Sequence, residues 1–301
     1  MLMPTQVATM IDSTVAALNA AGLDPVVVNK LIEFTLAEDL AGGEDVTTVA
    51  TVPLGQRATL DLVAREAGIA AGIPVAAAVF ENVNPALEIK VLAGDGDRVE
   101  RGDVLISITG STHDLLRAER PALNLLGHLG GIATLTAAWV AAISGTGAEV
   151  RDTRKTTPGM RALEKYAVRC GGGQNHRMSL ADAALVKDNH VLAAGGVAEA
   201  FAAVRAKFPA VPVEVEVDSL QQLDEVLEAG ADLVLLDNFT VDQLHEAVKR
   251  TGGRAKLEAS GGLSLSVAAA VAATGVDYLA VGALTHSAPV LDIGADLRQE
   301  A

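Results

Sequence analysis

The apolar positions along the chain change their period twice. Residues 8–22 carry apolar side chains at helical spacing and stop at Gly22, which predicts an amphipathic helix. A second helix is predicted over 25–40, where Pro25 pre-sets φ in the first turn. Residues 37–48 (AEDLAGGEDVTT) are polar and read as a connection, with Asp39, Glu44 and Asp45 as solvated loop acids rather than ligands. From Thr48 to Gly110 the period shortens. ATLDLVARE alternates apolar and polar positions like a half-buried strand, GIPVAAAVFENV reads as a helix, and LEIKVLA and DVLISITG are further strands. Residues 113–143 are helical again. Beyond Gly147, short apolar runs (EVRDT, ALVKD, VEVEVD, LVLLD, KLEAS, YLAVG) alternate with helical stretches such as SLQQLDEVLEAG. Apolar strands separated by helices mean a parallel sheet covered by helices. The expected fold class is α/β. A small N-terminal α/β sandwich domain should occupy 1–123, and a C-terminal incomplete, TIM-like parallel α/β barrel 124–287. Residues 288–301 could join the first domain.

Composition narrows this picture. Half of the 301 residues are apolar and only 3% aromatic, so the core is aliphatic, as between strands and helices. That much apolar surface offsets the entropy of ordering and excludes a disordered chain. Cys170 is the single cysteine, so no intrachain disulfide forms, which fits a reducing cytoplasm. The N-terminus has no basic region followed by an apolar run and does not read as a secretory signal. Residues 123–143 contain no Lys, Arg, Asp or Glu, but Asn124, His128, two threonines and three glycines interrupt them. A buried helix is expected there rather than a membrane span. The net charge of −15 argues against nucleic acid, whose phosphates need a basic face.

One stretch breaks the acidic balance. Residues 151–190 (RDTRKTTPGMRALEKYAVRCGGGQNHRMSLADAALVKDNH) hold eight Lys and Arg against four acids. Clustered cations repel one another unless an anion neutralises them, so this island points to an anionic ligand. The residues at or just past the strand ends form an ordered series: Thr153-Arg154-Lys155, Lys187, Glu216, Asp237, Ser260-Gly261-Gly262 and Gly282. In a parallel barrel these ends converge on one mouth, where such folds carry their active sites. Taken singly, each has a plainer explanation. Glu216 could face solvent, and Asp237 could cap the next helix. ASGGLS and GALTHS each follow a strand and open a helix, as phosphate-holding turns do. GDGDRVERGD, with Asp95, Asp97 and Asp103, lacks the terminal Glu of a calcium loop and reads as a turn.

RDTRKTTPGMRALEKYAVRCGGGQNHR followed by ALVKDNH resembles the core of the quinolinate phosphoribosyltransferases, the carboxylating nicotinate-nucleotide pyrophosphorylases. The resemblance continues through EVEVDSL, LVLLDNF, LEASGGLS and DYLAVGALTHS, closely from about Arg117 onward and more loosely before it. It implies transfer of a phosphoribosyl group from phosphoribosyl pyrophosphate to quinolinate with loss of CO₂, giving nicotinate mononucleotide in de novo NAD synthesis. Arg120, Thr153, Arg154, His176 and Arg177 would bind quinolinate. Lys155, Lys187, Glu216, Asp237, Ser260, Gly261, Gly262, Gly282 and His286 would bind phosphoribosyl pyrophosphate. Lys155, Glu216 and Asp237 would be catalytic, with Mg²⁺ held through Glu216 and Asp237. The family's arginine matching Arg120 serves the partner subunit, so a cytoplasmic homodimer is implied, without nucleic acid or membrane partners. From spacing alone, Arg117 and Arg120 read as solvated helix residues. Cys170 reads as packed structure. The alternative is a non-catalytic or other-substrate paralogue on the same scaffold that binds a phosphorylated or aromatic-acid ligand.

Overall fold

The computed structural model describes residues 10–299. The predictions for residues 1–9 and for the last two residues of the acidic tail lie outside them. In chain order the first elements are α1 (Asp12–Ala20), α2 (Pro25–Leu40), α3 (Val46–Thr51), β1 (Arg57–Ala64), β2 (Gly68–Ile69) and α4 (Ile73–Val83). β3 (Glu88–Val91), β4 (Arg98–Val99), β5 (Val104–Ser111) and α5 (Thr112–Ala142) follow. α2 starts where Pro25 and the Asp24 side chain, which accepts from the Val26 N–H, set its first turn. The polar connection is shorter than expected. Asp45 accepts from the Thr48 N–H and caps α3, so the chain becomes helical at Val46.

The chain then runs through β6 (Glu149–Arg151), α6 (Arg161–Cys170), β7 (Ala184–Val186), α7 (Asp188–Ala194), α8 (Val197–Lys207), β8 (Val213–Val217) and α9 (Leu220–Glu228). It ends with β9 (Leu233–Asp237), α10 (Val241–Thr251), β10 (Lys256–Ser260), α11 (Leu265–Ala272), β11 (Tyr278–Ala280), α12 (Ala283–His286) and β12 (Ile293–Gln299).

Two compact units result. The first comprises the chain up to Leu135, residues 158–172 and the chain from Ala288 onward. Its antiparallel sheet has the order β12-β1-β5-β3. β12 pairs along all of β1 from Ala58 to Ala64, so the C-terminal strand completes the N-terminal sheet. α6 also lies in this unit, where the Tyr166 hydroxyl donates to Asp95 at 2.6 Å. The loop acids are used internally, as a turn requires. Asp97 accepts from the Gly94 N–H and Asp103 from the Glu100 N–H. The expected split at 123/124 differs from these units, because α5 runs unbroken across that position and leaves the first unit only after Leu135.

α5 is the one helix among the described residues that is long and apolar enough to cross a membrane. Its apolar side chains are used within the protein: Leu115, Leu126, Leu129 and Ile132 are fully buried. Gly131 lies against the Pro289 carbonyl and leaves no space for a Cβ, which marks α5 as a packed core helix.

The second unit holds residues 136–157 and 173–287. Its six parallel strands have the order β6-β11-β10-β9-β8-β7. All six predicted strands are present, and β6 and β7 form the two ends of an unclosed sheet. One face of these strands is apolar throughout, with Val215, Val234, Leu236, Leu257 and Leu279 all buried on it.

Candidate active site

Strand alternation sends every second residue to the same face. On β8 these are Glu214 and Glu216, on β9 Leu235 and Asp237, and on β10 Glu258 and Ser260. A cavity of about 460 Å³ opens at the carboxyl ends of the strands. Thr153, Arg154, Lys155, His176, Arg177, Lys187, Glu216, Asp237, Ser260 and Gly261 line it, with Leu185, Leu235, Glu258 and Ala280. Most of the side chains predicted from the sequence thus share one site.

Its cations are poorly neutralised. Among the described residues neither Arg154 nor Arg177 makes an ion pair, and the buried Nε of Arg154 has no hydrogen-bond partner. Burial, and then the neighbouring Arg154, hold the Arg177 guanidinium below its ordinary value. Two neighbouring guanidiniums without ion-pair partners suit a ligand with two anionic groups. Lys155 is also without an ion-pair partner and is exposed. Its backbone is fixed: its N–H donates to Thr153 Oγ1 at 3.0 Å, and its carbonyl accepts from Thr285 Oγ1 at 2.7 Å. A Cβ at Gly282 would lie 3.0 Å from Lys155 Cδ, so this glycine leaves room for the lysine stem.

Lys187 is different. Its ammonium pairs with Glu216 at 2.6 Å, so Glu216 faces the cavity rather than solvent. Asp237 is not the cap of α10. Thr240 does that, in a capping box with Gln243, which leaves Asp237 on the cavity wall. Gly261 takes the left-handed conformation at φ 91° and packs against the Asn238 side chain. The remaining predicted residues lie apart from the lining. Gly262 is exposed beside Gly261, Gly282 lies behind Lys155, and His286 is exposed with Nδ1 2.6 Å from Ser287 Oγ. Arg120 is an exposed residue of α5 in the first unit.

Beneath the cavity sits a layer that sequence reasoning passed over. Asp152 is fully buried and accepts from the His176 N–H at 2.8 Å and from Asn175 Nδ2 at 2.6 Å. Arg151 bonds Glu258 at 2.8 Å and stacks over the Tyr278 ring at 3.8 Å. His176 Nδ1 accepts from the Arg177 N–H at 2.7 Å, so the ring proton is on Nε2, which meets Glu214 at 2.6 Å. Burial, and then Glu214, push the Glu258 carboxyl up to about 7. A signal for Glu214 and Glu258 was available. VEVEVD and KLEAS place them two residues before Glu216 and Ser260, hence on the same face, in strands otherwise apolar.

The sequence matches the C-terminal domain of quinolinate phosphoribosyl transferase over residues 132–296 and its N-terminal domain over 45–130. The chain belongs to the quinolinate phosphoribosyltransferase family. It is 55% identical to the nicotinate-nucleotide pyrophosphorylase [carboxylating] of Mycobacterium leprae over 88% of this chain and 95% of that one. The probable enzyme of the same name from Bacillus subtilis is 40% identical, over 90% and 93% of the two chains. The crystal structure of NadC from Streptococcus pyogenes superposes with a TM-score of 0.89 at 40% identity, covering 93% of this chain and 99% of that one. Family membership accounts for a cavity rich in arginine and lysine within an acidic protein.

Proposed function

We infer that the chain transfers the phosphoribosyl group of phosphoribosyl pyrophosphate to quinolinate with decarboxylation, yielding nicotinate mononucleotide, CO₂ and pyrophosphate in NAD synthesis. The observation that carries this is the pair Arg154 and Arg177, without ion-pair partners among the described residues, beside Lys155 in a chain 55% identical to a carboxylating pyrophosphorylase. The test is direct. Purified protein is mixed with quinolinate, phosphoribosyl pyrophosphate and Mg²⁺, and nicotinate mononucleotide and CO₂ are followed, with nicotinate as parallel substrate. Product from quinolinate alone is expected. Turnover of nicotinate alone would overturn the two-carboxylate reading, and turnover of neither in folded protein would favour a binding paralogue.

The residue roles follow from charge and position. Arg154 and Arg177 can each present a planar fork to one carboxylate, with Thr153 and the His176 backbone region beside them. Lys155 supplies a cation where the leaving pyrophosphate accumulates charge. Lys187, Glu216 and Asp237 also line the cavity, where carboxylates suit ribose hydroxyls. Ser260 and Gly261 offer the turn for the 5-phosphate, extended by Gly262, Gly282 and His286. The protein supplies no nucleophile to the substrate: the pyridine nitrogen attacks the ribose carbon, and once quaternised it accepts the electrons released with CO₂. Cys170 takes no part, since burial and then Asp95 push its thiol up to about 11.

Glu216 and Asp237 fit Mg²⁺, which takes one or two carboxylates and completes its shell with phosphate oxygens and waters. Bound there, the ion would neutralise diphosphate charge. Gly261→Ala should disturb the phosphate turn. The left-handed backbone and the clash with Asn238 cost about 1–2 kcal/mol, so the KM for phosphoribosyl pyrophosphate should rise roughly tenfold. An unchanged KM would remove this turn from the phosphate site.

Arg120 is assigned to the site of a partner subunit in a homodimer. Arg120→Ala and Lys155→Ala proteins, each inactive alone, should then regain activity when mixed. Exchange of subunits without recovery would place every site residue in one chain.

A further inference from the structure

The reading above leaves unused the buried group under the cavity, Arg151, Glu214 and Glu258. His176 Nε2 and one oxygen from each of the two glutamates lie within 4.8 Å of one another. Such a trio could be a metal site, but the tautomer opposes it. A backbone N–H can only donate, so the Arg177 N–H fixes His176 Nδ1 as an acceptor and leaves the ring proton on Nε2, where a metal would need the lone pair.

Charge gives the trio another role. Two carboxyls, 3% and 0% exposed, face a neutral imidazole and one guanidinium. With both ionised, the group would carry a net negative charge beneath the place assigned to a dianion. One oxygen of Glu258 accepts from Arg151, while its other oxygen has no hydrogen-bond partner and lies 3.6 Å from His176 Nε2. One oxygen of Glu214 is equally unpartnered. A single proton on Glu258 leaves the group neutral.

We propose that Glu258 is a positioning residue for quinolinate: it holds Arg151 beside the His176 ring under the cavity, and it carries a proton while the dianion is bound. This rests on the assignment of quinolinate to Arg154 and Arg177. The groups facing Glu258 are Arg151 on β6, Tyr278 on β11, Glu214 on β8 and His176 on the segment after β6; β9 brings Leu235 opposite it. Burial and Glu214 raise the Glu258 carboxyl to about 7, while His176 and Arg151 oppose the rise. Below that pH Glu258 is protonated and the layer is neutral. Above it the carboxylate repels the substrate.

The test is the pH profile of each KM in the wild-type enzyme, Glu258→Gln and Glu258→Ala. The wild-type KM for quinolinate should rise about threefold or more from pH 7 to 8.5, approaching at most tenfold per pH unit. Glu258→Gln keeps a neutral group of the same shape, so its KM should stay near the wild-type pH 7 value and lose the rise. Glu258→Ala should show a raised quinolinate KM at every pH. The KM for phosphoribosyl pyrophosphate should respond equally in wild-type and Gln enzymes. If the Gln variant keeps the wild-type slope, or both KM values move together in it, Glu258 is only structural. Should the Ala variant fail to fold, the Gln comparison alone decides. If the wild-type enzyme does not turn over quinolinate at all, it is the functional assignment that fails.

Discussion

Lys155→Ala is expected to lower turnover by about 100-fold or more, the effect of removing one preorganised charge from a departing anion. The structure favours a large effect for three reasons. The ammonium has no ion-pair partner among the described residues, so its charge is fully available to a ligand. Its backbone is held on both sides by Thr153 and Thr285, so little reorganisation accompanies the reaction. Lys187, the other lysine on the cavity, is already paired with Glu216 and is a poor substitute. The loss should fall on kcat more than on the KM for quinolinate, because the charge on pyrophosphate grows only as the bond breaks. Lys155→Arg should recover little, since a broad planar guanidinium does not reproduce a compact ammonium at the leaving group. Steady-state and single-turnover rates on the purified variants check this. Turnover within a few-fold of wild type would remove Lys155 from the chemical step.

How far such residues could be read from the sequence depended on whether their signal was local. The six parallel strands were legible because each is a short apolar run with a charge or glycine at its end. The open sheet also followed from counting them. Lys155, Glu216 and Asp237 stood out because they end those runs. α6 was harder. Its sequence lies between two site segments, yet it packs in the first unit, through contacts such as Tyr166 with Asp95 that span 71 positions. Such pairing leaves no periodic trace. For β12 the joining of residues 288–301 to the first domain was open to the sequence reading, but not its pairing with β1, which is more than 200 residues away. The buried polar layer was missed for another reason. A glutamate inside an apolar strand reads as a solvent-facing position, and the one sign that the face of Glu214 and Glu258 is interior was their two-residue spacing to Glu216 and Ser260. Asp152 was counted among the acids of the basic island, and nothing in its neighbours announces a fully buried carboxylate.

Asp152 supports the second large effect. Gln174 to Arg177 run alongside β6: the Gln174 N–H donates to the Val150 carbonyl and the Asp152 N–H to the Gln174 carbonyl. The Asp152 carboxylate then takes the next two donors, the Asn175 amide and the His176 N–H. This clamp fixes His176, whose ring in turn fixes the Arg177 N–H, so Asp152 governs the placement of a guanidinium it does not touch. Asp152→Ala removes the acceptor from two part-buried donors and opens a small void. The cost is about 2–4 kcal/mol, and the melting temperature should fall by roughly 5–10 °C. Activity should fall further than stability explains. At a temperature where the variant is fully folded, a loosened Arg177 should raise the KM for quinolinate by about tenfold or more. Asp152→Asn separates the two effects. Its amide can accept one of the donors but must present N–H groups to the other, so it retains the shape and loses half of the clamp. It should fall between wild type and alanine in both readouts. Thermal melts and the KM for each substrate, measured on the same preparations, test the chain of contacts from Asp152 through His176 to Arg177. A variant that melts early yet binds quinolinate normally would break that chain at His176.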